Sequence, residues 1–184
     1  KSPLFLNKVF LVFNKKDQII SNDLYDIIEC DDVDSLQSCL NTSGFDVNIT
    51  IHDVYLIEYA AFMGSLNIFS YLLDNTKPSD INPKILSYAV HGLNIDIIHK
   101  LETFFNLANR ENVQKYLPNL KDCFLEAIKS HHNDIAEYIQ STYLSNVQLK
   151  YAEASISSYN DLYLKKAIDA SNNTLITDQK EAQN

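Results

Sequence analysis

Ile57-Glu-Tyr-Ala-Ala-Phe-Met-Gly-Ser-Leu-Asn-Ile-Phe-Ser-Tyr-Leu-Leu73 reads as two helices and the break between them. A short apolar run, Ile57 to Phe62, comes first. Its small Ala60 and Ala61 leave room for a neighbouring helix to approach closely. Met63-Gly64-Ser65 interrupts the run, and glycine suits a helix C-terminus because it adopts the left-handed conformation. Leu66, Phe69 and Leu72-Leu73 then recur at the three-and-four spacing of one buried helix face. A lone helix pair of this length cannot bury that face. Stacked pairs bury one another's and make a continuous core.

The same pattern occurs three more times, from Leu24 to Leu40, Leu86 to Glu102 and Phe124 to Gln140. One polar position fixes the register: Asp34, Asn67, Asp96 and Asp134, separated by 33, 29 and 38 residues. These intervals bracket the ~33-residue period of one repeat class. At the break the four segments carry Asp31, Gly64, Leu93 and His131, with Gly92 one place early in the third. A branched residue is disfavoured in the left-handed region, so the third turn is expected to be adjusted around Leu93.

Between segments the chain must reverse. Ser43-Gly44-Phe45-Asp46-Val47-Asn48 is the clearest reversal, and Asn75 to Asp80, with Pro78, is the next. Pro83 suits the first turn of the helix that follows. The longer connection from Thr103 to Leu120 reads as an extended helix end plus a further turn that stops before Pro118. Residues 1–23 are expected to form an N-terminal helical cap, and 24–140 the repeats. Residues 141–170 are expected to be a C-terminal cap or degenerate repeat, with short helices at Tyr151–Ile156 and Asp161–Ile168. The polar tail 171–184 is expected to be disordered.

Composition agrees with an all-α chain. Of 184 residues only 3 are Gly and 4 Pro, too few for a turn-rich all-β fold. The formal net charge of -9 repels phosphates, which argues against nucleic acid and anionic membranes as partners and leaves a weak preference for basic ones. Cys30, Cys39 and Cys123 are odd in number and contain no CxxC, which disfavours a disulfide framework or structural zinc and points to a reducing, intracellular, cytoplasmic setting. The apolar start, Lys1 to Phe13, is interrupted by Asn7 and Lys8 and lacks a small-residue cleavage site, so it reads as a packed helix rather than a signal peptide. No apolar run reaches the length of a membrane span.

Ile57 to Leu73 resembles the ankyrin pattern L-H-x-A-A-x-x-G-x-L-x-x-V-x-x-L-L, and Gly44-Phe45-Asp46-Val47-Asn48 resembles the ankyrin G-A-D-V-N turn. The resemblance covers residues 24–140. Tyr59-Ala60-Ala61-Phe62-Met63-Gly64-Ser65 and Ile128 to Ile135 are similar to the divergent ankyrin arrays abundant in some parasitic protists. The resemblance implies a helical repeat solenoid of about four repeats with short or degenerate hairpin loops. It also implies a function in binding another protein through the concave groove and inter-repeat loops. The T-P-L-H tetrapeptide of the family is replaced by Tyr55-Leu56-Ile57-Glu58, Lys84-Ile85-Leu86-Ser87 and Asp122-Cys123-Phe124-Leu125. Its Thr and His brace the hairpin and helix start, so some hairpins are expected to be plain loops.

Catalytic chemistry finds little footing. No P-loop, dinucleotide fingerprint, GxSxG or HExxH is present. His91, His99, His131 and His132 do not share the spacing of a metal site, and no cofactor is expected. Asp31, Asp32 and Asp34 lack the glycine and distal Glu of a calcium loop, so helix capping is their expected role. Cys39 and Phe69 fall on the core stripe, as does Tyr138. Phe62 and Met63 are different. They sit where ankyrin proteins place polar or contact residues, and their equivalents are Glu29 and Cys30, His91 and Gly92, and Lys129 and Ser130. An apolar pair there is either packed under a neighbouring finger or exposed as a binding patch. With Tyr59 and Tyr88 one turn earlier, and the loop residues Ile51, His52 and Asp53, they form the expected binding surface of a monomeric module. The rival expectations are a structural or self-associating segment of a longer ankyrin chain, and an enzyme on a helical scaffold.

Overall fold

The computed structural model describes residues 24–44, 46–51, 54–147 and 149–170. The expected cap at 1–23 and the tail 171–184 lie outside the described residues. The described chain is all-α apart from one two-residue strand pair. It divides into two compact units, one ending at Asn119 and one beginning at Leu120.

The first unit opens with α1 (residues 24–29) and α2 (Val33–Ser43). Strands β1 (Thr50–Ile51) and β2 (Val54–Tyr55) follow, antiparallel, with Thr50 opposite Tyr55 and Ile51 opposite Val54. Next come α3 (Leu56–Met63) and α4 (Leu66–Asn75), a 3-10 turn (Pro78–Asp80), α5 (Ile85–Gly92) and α6 (Ile95–Phe104), and the short α7 (Arg110–Lys115). First helices pack on first helices and second on second: α3 lies against α5, and α4 lies against both α2 and α6. Two helical layers result. Leu56, Ala60, Ala61, Ile68, Phe69 and Leu72 are sealed between them, each fully buried. Burial of each large side chain contributes about 1.5–3 kcal/mol.

Ala60 and Ala61 allow α3 and α5 to close up, and two glycines complete the approach. A Cβ on Gly92 would lie 2.2 Å from the Ala61 carbonyl oxygen and 2.9 Å from that of Phe62. Gly64, at φ 75°, would bring a Cβ to 2.7 Å from the Gly92 oxygen. The end of α5 therefore rests directly on the backbone at the end of α3.

The second unit holds most of α8 (Leu117–Lys129), then α9 (Asn133–Tyr143), α10 (Ala152–Ser158) and α11 (residues 161–170). Its core centres on Phe124, whose ring meets Tyr151 at 5.7 Å and Tyr163 at 5.6 Å, both edge-on. Tyr163 is fully buried, and its hydroxyl has no hydrogen-bond partner. Burial first, and the charges of Glu137 and Tyr151 after it, push this phenol up to about 12.

Every break between first and second helices has a residue in the left-handed region: Asp31, Gly64, Leu93, His131 and Tyr159. The first four are the positions that the sequence register marks. Leu93 departs from expectation, because it takes φ 57° itself instead of displacing the turn. Its side chain is 53% exposed, so the conformation costs about 1–2 kcal/mol of backbone strain but no packing clash.

The residue after each break starts the second helix, and Ser65, Asn94 and Asn160 reach back. Ser65 Oγ donates to the Ile28 carbonyl at 2.5 Å, Asn94 Nδ2 to the Gly64 carbonyl at 2.9 Å and Asn160 Nδ2 to the Ile128 carbonyl at 2.8 Å. Ser65 makes no side-chain cap bond to α4, and Asp31 caps that helix from the preceding turn. It accepts from the backbone N–H groups of Asn67 at 3.0 Å and Ile68 at 2.8 Å. Asp32 caps α2 through the Ser35 N–H at 3.0 Å, and the Ser35 hydroxyl and N–H hold its carboxyl below the usual range.

Other expectations shift. The short α7 does end before Pro118, as expected, but Pro118 itself is helical. It lies in the first turn of α8, where its missing N–H costs nothing. Tyr138 is half-buried rather than core, 6.2 Å from the Tyr143 ring. Cys39 is half-buried, Cys123 buried and Cys30 exposed. At the helix start after the strand pair, the Glu58 carboxylate accepts from the Tyr55 N–H at 3.1 Å. Glu58 is buried, and that burial raises its carboxyl despite the Tyr55 hydrogen bond and the nearby Lys84 charge.

Candidate functional site

Three first helices of the first unit carry aromatic side chains on one face, and packing lines them up. Tyr25 of α1 meets Tyr59 of α3 at 4.9 Å between ring centroids. Tyr59 is followed one turn later by Phe62, at 6.4 Å and 21° between planes. Phe62 then stacks on His91 of α5 at 4.3 Å and 9°. All four side chains are half-buried. Each ring is therefore partly covered and partly open to solvent, and ring pairs of this kind contribute about 0.5–1.5 kcal/mol beyond area. The close α3–α5 contact at Gly92 sets the Phe62–His91 distance, since the glycine stands at the next position after His91.

Met63 and Tyr88 are half-buried as well, on α3 and α5. The phenols of the surface stay protonated at physiological pH. Burial, then the neighbouring Tyr59, pushes Tyr25 up to about 12. Tyr59 is raised by burial and by the charge of Glu29, and Tyr88 by burial and by Glu58. The Glu29 effect places its carboxylate near the row, one helical turn after Tyr25 and exposed.

Of the ten expected contact residues, the first unit brings five to α3 and α5: Tyr59, Phe62, Met63, Tyr88 and His91. Ile51 pairs its backbone with Val54 in the strand pair, and His52 and Asp53 lie outside the described residues. Lys129 and Ser130 close α8 in the second unit. Lys129 is exposed, and the Ser130 hydroxyl lies 3.4 Å from Glu126 Oε1.

Sequence reasoning missed Tyr25. In the repeat register the counterpart of Tyr59 is Asp26, and Tyr25 is one place earlier. One residue is about 100° around a helix, so register alone aims Tyr25 elsewhere. The row runs obliquely because packing sets the rotation of each helix separately.

An open groove of about 560 Å³ lies elsewhere in the first unit, among Pro78, Pro83, Phe104, Phe105, Lys115 and Tyr116. Lys115 reaches over the Tyr116 ring at 4.8 Å. No carboxylate, histidine or cysteine lines it. Among the described residues no group of three or more His, Cys, Asp or Glu side chains is placed to hold a metal. No helix among them is long and apolar enough to cross a membrane.

An uncharacterized protein of Acanthamoeba polyphaga mimivirus is 29% identical to this chain over 99 residues, which take in 54% of this chain. The match covers 53% of that protein, so the chain spans about half the length of the curated relative it matches. No family model matches the sequence, and no solved structure matches it.

Proposed function

We propose that this chain is an ankyrin-type repeat protein without catalytic activity. It binds a partner protein through the first-helix face of its first unit. The observation that carries the reading is the aromatic row Tyr25, Tyr59, Phe62 and His91, drawn from three successive first helices and half-exposed along its length. Rigid aromatic rings lose little conformational entropy on binding, which is why they dominate protein interfaces. The ankyrin reading is supported by the left-handed breaks, by the layered packing of α2 to α6 and by the Gly64–Gly92 contact. The non-catalytic reading is supported by the sequence, which carries no P-loop, dinucleotide fingerprint, GxSxG or HExxH.

The test is partner capture from a lysate of the source cell, comparing the wild type with a Phe62→Asp, Met63→Asp double variant and a Lys129→Glu variant. Circular dichroism verifies that all three are folded. The expected result is partners lost from the double variant and retained by Lys129→Glu. Equal retention by both variants moves binding off the row and overturns the reading.

A further inference from the structure

Residues 17–76 contain eleven acidic residues and not one Lys or Arg. This stretch supplies three of the four rings of the row, Tyr25, Tyr59 and Phe62. Residues 120–184, by contrast, hold nine acids against six bases. The acids reach the row itself. Glu29 stands one turn from Tyr25, and its charge acts on Tyr59; Asp26 is exposed beside Tyr25 on α1. No lysine or arginine of α1 to α4 offsets them. Half-open aromatic rings bordered by exposed carboxylates form a cation-accepting surface. The ring faces attract a guanidinium, and the carboxylates accept its fork of N–H donors.

We propose that the row receives an arginine-bearing, apolar segment of a partner protein, with the arginine packed against Tyr25 and Tyr59 within reach of Glu29, and an apolar neighbour against Phe62 and Met63. The inference rests on the proposed binding role of this face and adds the chemistry of what it binds. Arginine suits the site better than lysine because its planar cation lies flat on a ring while its edge meets a carboxylate. The surrounding negative potential speeds the encounter and makes binding sensitive to salt.

The probe is a fluorescein-labelled peptide that alternates arginine with leucine. The same peptide with every arginine replaced by glutamine is the comparison. Both are titrated against the full chain by fluorescence anisotropy at two salt concentrations. The expected result is binding of the arginine peptide, weakened about tenfold by Tyr59→Ala and about threefold by Glu29→Gln, with a reduced salt dependence in the latter. Glu29 is exposed, so its variant keeps the test decisive if Tyr59→Ala fails to fold.

Equal, Tyr59-dependent binding of the glutamine peptide overturns the arginine preference and leaves the binding face standing. Arginine-peptide binding that neither variant weakens is adsorption to net negative charge, and overturns the proposal. Binding that emerges only after Lys8, Lys15 and Lys16 are changed to Glu makes the chain's own basic segment the occupant, and overturns the partner. Absence of binding by either peptide overturns the proposal too, while the capture experiment judges the face independently.

Discussion

The two units share an asparagine tie between successive helix pairs, Asn94 onto the Gly64 carbonyl and Asn160 onto the Ile128 carbonyl, but surround it differently. In the first, the α3–α5 junction works by removing side chains: Gly92 rests on the Ala61 and Phe62 carbonyls, and Gly64 faces Gly92. In the second, the junction between the α8 break and the α10–α11 pair is filled. Asn160 is almost fully buried there. Its Nδ2 donates to the Ile128 carbonyl at 2.8 Å and to Asn133 Oδ1 at 2.7 Å, and its Oδ1 accepts from the Tyr163 N–H at 3.3 Å. His131 adds a hydrogen bond at 2.8 Å between its Nε2 and the Ser158 carbonyl. One junction gains dispersion contact from close approach. The other adds further directional bonds. The lesson is that a repeat can keep its break geometry and its asparagine tie while changing what surrounds them.

The sharpest way to break this comparison is Gly92→Ala. Its Cβ meets backbone that cannot move without parting α3 from α5. A loss of about 3 kcal/mol or more is expected in urea unfolding, with the Phe62–His91 stack disturbed. A loss under about 1 kcal/mol would mean that the helices part easily and the close contact contributes little. The second unit is tested by Asn160→Ala, which deletes a helix cap and two donated hydrogen bonds. About 2 kcal/mol is expected, with faster amide exchange confined to α10 and α11. If exchange quickens throughout the second unit instead, the junction also holds α8 and α9 in place. The smallest effect, about 0.5–1 kcal/mol and of opposite sign, is expected for Leu93→Gly, which relieves a left-handed branched residue whose side chain is exposed. A destabilised variant would show that exposed Leu93 has a packing role.

Much of the first unit is legible in its residues. The apolar spacing of Leu66, Phe69 and Leu72 marks a buried face, and Ala60, Ala61 and Gly64 mark a close approach, because small residues are informative where larger ones would clash. The second unit is harder to read. Asn160 has no distinctive neighbours in sequence, and nothing local distinguishes an amide that bridges two helix pairs from one facing water. The same holds for Glu58, whose carboxylate accepts from the Tyr55 N–H at the start of α3.

By itself the sequence determined the all-α class and the positions of the first four breaks. Periodicity and backbone preference act over a few residues, and both are written along the chain. Only the tertiary structure decided that Tyr25 rather than Asp26 joins the row, that Asp31 caps a helix more than thirty residues away, and that Gly92 serves contact rather than turning. Those outcomes depend on how far each helix is rotated and how closely its neighbour approaches. Side chains distant in sequence fix both quantities together, so no local pattern records them.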